Sequence, residues 1–232
     1  VLGIFIMFTI TLTGDSSELS CDIFPPLEVS KNSQLCLLSL YTNNSIPNIE
    51  PGCNTIGFKN EKDENYNIVI PTGTYEFASL ATYIQDSMPE SVRLDLKADY
   101  NTLKCSIKCD DKIDFTVPNN ISKLLGFEQI EYNANTTHES LNIVHIMKVN
   151  SIKIECNLIS GSFNNGVPDR TIHEFSPSVA PGYKICEVPV HSVFYPLVDS
   201  SISKVSITLK DQDNTLINLR GEPITVRLQI KH

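Results

Sequence analysis

The sequence predicts an all-β fold, a sandwich or barrel of short antiparallel strands with one or two short helices in its connections. Three observations predict it. Apolar and polar residues alternate through many short runs, clusters of Asn, Asp, Gly, Ser and Pro separate those runs, and only two stretches space their apolar residues as a helix does. At 232 residues the chain suits one large β domain, because sandwiches and barrels reach this length as single units, and we read 1–232 as one domain.

The first strand falls at 7–13, where Phe8, Ile10 and Leu12 alternate with Thr9, Thr11 and Thr13. The uncharged opening before Asp15 is too short for a membrane helix and lacks the basic start and cleavage site of a signal peptide. Met7 suits an initiator, with 1–6 as an upstream extension. Further strands are expected at 34–41, 66–70, 92–97, 102–108, 112–117, 142–149, 151–159 and 184–190. In "IPTGTYEFASLATYIQDSMP", Phe77, Leu80, Ala81 and Ile84 recur at helical spacing, with Thr74 or a neighbour to cap the start and Pro89 to mark the end. A second helical turn is expected at Ile121, Leu124 and Leu125, capped by Asn119 or Asn120 and stopped by Gly126.

From Ser160 to Tyr183 runs the longest irregular stretch, in which only "TIHEF" is strand-like. Loops of this length usually serve function. This one mixes Phe163, Phe175 and Tyr183 with Asn165, Arg170 and His173, so an ordered loop that contacts a partner is expected, continued by Phe194 and Tyr195. The chain then closes on two strands. Val205, Ile207 and Leu209 alternate with Ser206, Thr208 and Lys210 in 203–210; Ile224, Val226, Leu228 and Ile230 alternate with polar residues in 224–231. Between them "DQDN" makes a turn, Leu216 to Leu219 a short extended piece, and Gly221 with Pro223 a corner.

Charge and composition exclude several functions. Net charge is −9, and most of it lies in residues 1–100, where 13 acidic residues face 5 basic ones. No cluster of Lys and Arg offers a phosphate-binding surface, so no direct nucleic-acid site is expected. The seven cysteines, an odd number, fall partly inside apolar strand patterns and read as reduced; Cys105 and Cys109 share a strand face without zinc-knuckle spacing. Sequons at Asn43, Asn120 and Asn135 are what an Asn-rich chain yields by chance.

No catalytic or metal-binding pattern stands out. The best local group for nucleophilic chemistry is Asp169, His173 and Glu174 with Cys186 or His191, without a nucleophile elbow or a cysteine-protease signature. His138 and His145 have opposite strand parity and would point to opposite faces of a common strand. Paired carboxylates are absent as a pattern too, since Asp110 and Asp111 sit in a turn and "EKDE" is a charged loop tip. We therefore expect no enzyme, no cofactor and no metal.

The segments "TLTGDSSELSCDIFPPLEVSKNSQLCLLSLYTNNSIPNI", "IPTGTYEFASLATYI", "LLGF", "VNSIKIECNLISGSFNNGVPDRTIHEFSPSVAPGYKICEVPVHSVFYPLV" and "DQDNTLINLRGEPITVRLQIK" together cover nearly the whole chain. They resemble proteins of Polinton/Maverick-type elements and adintovirus-like viruses, and among these the minor capsid protein, the penton. The resemblance implies a single jelly-roll β-sandwich that assembles as a homopentamer at capsid vertices and contacts the major capsid protein. It implies residence in the virion capsid after intracellular assembly in a eukaryotic host, for a viral or an endogenous gene. Asn214 stands where the pattern has Gly, and 1–6 extend beyond it. The chain is too short for two full jelly rolls, which disfavours the major capsid protein. The other reading is a lectin- or cytokine-like jelly-roll module that recognises a ligand through its loops.

Overall fold

A computed structural model describes residues 7–146 and 148–231; the expected extension at 1–6 lies outside the described residues. In chain order the elements are β1 (Met7–Gly14), β2 (Glu18–Glu28), β3 (Gln34–Asn43), β4 (Thr55–Lys59), β5 (Asn65–Val69), α1 (Phe77–Asp86), β6 (Leu94–Ala98), β7 (Lys104–Cys109) and β8 (Lys112–Asp114). There follow α2 (Ser122–Leu125), β9 (Glu131–Tyr132), β10 (His138–Ile143), β11 (Ile152–Cys156), β12 (Ser162–Asn164), β13 (Val167–Asp169) and β14 (Thr171–Phe175). The last are β15 (Lys184–Glu187), β16 (Tyr195–Pro196), β17 (Ser201–Asp211) and β18 (Ile224–Lys231). The chain divides into two compact units: residues 47–148 form one, and the segments on either side of it form the other. The sequence reading carries one domain across 1–232, whereas the jelly-roll strands all belong to the unit made by the two outer segments.

That outer unit has two antiparallel sheets, β1-β18-β3-β15 with β16 also on β3, and β14-β11-β17-β2. Numbered among themselves, the eight principal strands run first, eighth, third, sixth in one sheet and fifth, fourth, seventh, second in the other. This is the interleaved order of a jelly roll, in which each sheet takes alternate strands of a folded-over ribbon. Its core gathers Ile152 and Ile154 of β11, Val205, Ile207 and Leu209 of β17, and Val226, Leu228 and Ile230 of β18, which follow the alternation, together with Leu35, Leu37 and Leu40 of β3, whose parity changes between Leu37 and Leu40 where the register with β18 shifts. The β17 turn is built as its sequence suggests. Asp211 Oδ1 accepts the N–H groups of Asp213 and Thr215 at 2.9 and 2.8 Å, and Asn214 takes φ 63° without strain worth a glycine. The buried Lys153 is satisfied there, its Nζ 3.1 Å from Asn214 Oδ1.

Several elements differ from the sequence reading. β2 is an eleven-residue edge strand where no strand was expected, because its prolines argue against a ladder yet are tolerated on an edge. The stretch 160–183 is not a single irregular loop: β12 and β13 pair as a hairpin around Asn165 and Gly166, both at positive φ as a tight hairpin turn requires. The strand expected at 142–149 lies earlier, at His138–Ile143.

Residues 47–148 fold around their own core. A four-stranded sheet β5-β4-β8-β9 and a three-stranded sheet β10-β7-β6 enclose Ile56, Phe58, Leu80, Ile84, Ile107 and Phe115. Helix α1 buries Leu80 and Ile84, as the spacing predicts. Its N-cap is Glu76, without a side-chain cap, rather than Thr74. Gln85 near its end takes over the tie to β6, accepting Leu94 N–H at 2.6 Å and donating to the Val92 carbonyl at 3.2 Å. The N-cap of α2 is Ile121, without a side-chain cap, rather than Asn119 or Asn120; Asn120 Oδ1 instead accepts Ser122 N–H at 3.1 Å one residue ahead of it, and Gly126 closes the turn in the left-handed region, φ 80°. No described helix is long and apolar enough to cross a membrane.

Candidate functional site

The residues singled out in sequence are split between surface and support. Phe163, Asn165, Arg170 and Tyr183 are exposed; His173, Phe175, Phe194 and Tyr195 are half-buried. Phe163 stands on the β12–β13 hairpin opposite Pro168 and is 70% exposed. Tyr195 pairs with Leu35 of β3 and packs on the core, and the Lys231 ammonium lies 3.3 Å from the centroid of the Phe194 ring. His173 Nε2 sits 2.8 Å from Glu187 Oε1, which ties β14 to β15 across the two sheets.

The group considered for nucleophilic chemistry does not converge. Glu174 accepts the Ser151 hydroxyl at 2.6 Å, Asp169 accepts the Thr171 hydroxyl and Arg170 N–H, both at 2.7 Å, and His173 is engaged by Glu187 instead. No three His, Cys, Asp or Glu residues among those described come together as a metal would need. All seven thiols are free. Cys105 and Cys109 share the buried face of β7, as their spacing predicts, and burial pushes their thiols up to about 12 and about 11, which makes them inert rather than nucleophilic. What the arrangement offers is shape and apolar surface.

Two surface features were missed in sequence. On β2, four residues, Ile23 to Pro26, face the single residue Ser203 of β17, because the pairs on either side are Asp22 with Lys204 and Leu27 with Ile202. Ile23 turns toward the core while Phe24 projects from this bulge with 96% of its surface exposed. On the other sheet, Glu187 pairs with Leu40 and Tyr195 with Leu35, so seven residues, 188–194, span a stretch of β3 only four residues long. This second excursion exposes Val188, Val190 and Val193, Val190 to 91%. The run "VPVHSVF" carried a signal in its valines, whereas the projection of Phe24 depends on the β17 register, which local sequence does not contain.

Two antiparallel sheets with interleaved strands define this chain as a jelly-roll β protein. Among solved structures it is similar to that of the mavirus penton protein, determined in selenomethionine-labelled form: identity is 12%, the TM-score is 0.50, and the match covers 97% of this chain and 99% of that one. No protein-family model matches the chain, and no curated protein does. At this identity the likeness is one of fold, and it extends over both units.

Proposed function

We propose that the chain is a structural capsid subunit of penton type, of the kind carried by Polinton/Maverick-type elements and adintovirus-like viruses. The observation that carries this reading is the fold shared with the mavirus penton protein from end to end, at 97% and 99% coverage. The engagement of Asp169, His173 and Glu174 in separate structural contacts is in keeping with a non-enzymatic role. The subunit works by burying its flanks against copies of itself, a pentamer being the favoured closure, and against the major capsid protein of the shell. It resides in the virion after assembly in a eukaryotic cell. The whole chain acts as one subunit built on a single jelly roll, with contacts carried in part by the exposed members of the 160–183 stretch, Phe163, Asn165, Arg170 and Tyr183.

Size-exclusion chromatography with light scattering tests this reading on the purified chain. A closed ring of five 25.9 kDa copies is expected. A chain that stays monomeric at every concentration overturns the ring, and a trimer favours the cytokine-like alternative.

A further inference from the structure

We propose that copies of this chain dock head to tail, the Phe24 projection of one copy seated on the valine excursion 188–194 of the next. The proposal rests on the capsid-subunit reading and names the surfaces through which self-association runs. It starts from the sandwich of the jelly-roll unit. β1 and β15 are opposite edges of one sheet, and β2 and β14 opposite edges of the other. A three-residue turn joins β1 to β2, and Leu12 and Leu19 meet in one core, so these two edges make one flank. The His173–Glu187 pair ties β14 to β15, which make the other. Phe24 and Val190, the most exposed large apolar residues of this unit, therefore stand on opposite flanks.

Both flanks are modified in the same way. Each excursion puts three extra residues into an edge, which removes a free strand ladder from that place and presents side chains instead. Contact there is made by apolar side chains, not by continuation of a sheet. The chemistry of the two is complementary. β1 and β2 contribute Glu18, Asp22 and Glu28 and no Lys or Arg, whereas 188–194 contains no acid, carries an exposed His191, and has the Lys231 ammonium over Phe194. The carboxylates that β14 and β15 bring to that flank are both engaged, Glu187 by His173 and Glu174 by the Ser151 hydroxyl. A second copy satisfies both surfaces at once, and a contact between unlike patches on opposite flanks repeats from copy to copy, closing into a ring when the rotation between neighbours divides a full turn. The β12–β13 hairpin touches β14 and so adds Phe163 to the valine-bearing flank.

Phe24→Asp and Val190→Asp test the docking, since side chains this exposed are replaced without loss of fold, which circular dichroism verifies. Light scattering is expected to show each variant alone as a monomer, and Phe24→Leu as a ring. Mixed in equal amounts, the two Asp variants retain one intact contact between them, Phe24 of one with the valines of the other, and a two-chain species is expected. The docking is overturned if either Asp variant still forms the wild-type ring, if the mixture stays monomeric, or if only Phe24→Asp is affected, which would mean a two-fold Phe24 contact. A wild-type ring that survives these substitutions sinks the docking alone. A monomeric wild type sinks the capsid-ring reading with it.

Discussion

Individual residues in this chain are constrained more by backbone geometry and burial than by chemistry. Gly126 shows the first constraint: it sits at φ 80°, and a Cβ there would run into the backbone carbonyl of Asn142, a residue held against this turn by its N–H, which donates to Gly126 O at 3.0 Å. Gly182 has a similar φ of 82° but open space around it. Gly182→Ala is expected to cost about 1 kcal/mol from the left-handed backbone alone, and Gly126→Ala distinctly more, because the carbonyl must also move. Urea denaturation of the two variants checks the order. Burial acts on the cysteines. The thiols of Cys105, Cys109 and Cys156 are pushed up to about 12, 11 and 11, against an ordinary value of 9.0 in the unfolded chain. Below pH 9 both states keep these protons, so the full stability is present; as pH rises past 9 the unfolded chain releases them first and stability falls, by about 1.4 kcal/mol per pH unit for each such thiol until the folded value is reached. Denaturation at pH 8 and pH 10.5 is expected to show a shallower loss for Cys105→Ala than for the wild type; equal losses would mean that this thiol ionises in the folded protein.

At the level of elements, legibility followed exposure. Strands with one wet face were plain: β1, β17 and β18 alternate apolar and polar residues, and their buried sets, such as Val226, Leu228 and Ile230, match the alternation. β4 was hidden for the opposite reason. Its first four residues, Thr55 to Phe58, are all buried, so it has no period, and Gly57 interrupts it where Val117 and the Asp114 carbonyl press close. β12 and β13 are only three residues each and bury almost nothing, so their sole signal was the Asn-Gly turn between them. Both helices were visible through spacing, but their N-caps were not, since Glu76 and Ile121 hold those positions without a side-chain bond. The candidate surfaces divide in the same way. Phe163 and Tyr183 announced themselves as aromatics in a polar loop, while Phe24 became visible only once the three surplus residues of β2 were set against β17.

For the molecule as a whole, two cores share the work of folding one chain. Ile154 belongs to one apolar cluster and Ile107 to the other, each fully buried. Ile154→Val and Ile107→Val are each expected to remove about 0.5–1.5 kcal/mol. Native-state hydrogen exchange is expected to place the loss locally, lowering protection in β11 and β17 for the first variant and in β6 and β7 for the second. A uniform drop across both sets of strands from either substitution would show that the cores open as one.

Pairing of β1 with β18, register Met7 to Lys231, has a consequence for how the chain reaches this state. β1 finds its ladder partner only after the intervening 47–148 unit and every jelly-roll strand between the two has been made. Until then β1 lacks that ladder partner, and the closure that joins them spans a long stretch of chain, which is the condition under which β proteins fold slowly. Threonines at 9, 11 and 13 suit that wait, because they keep one side of the waiting strand compatible with water.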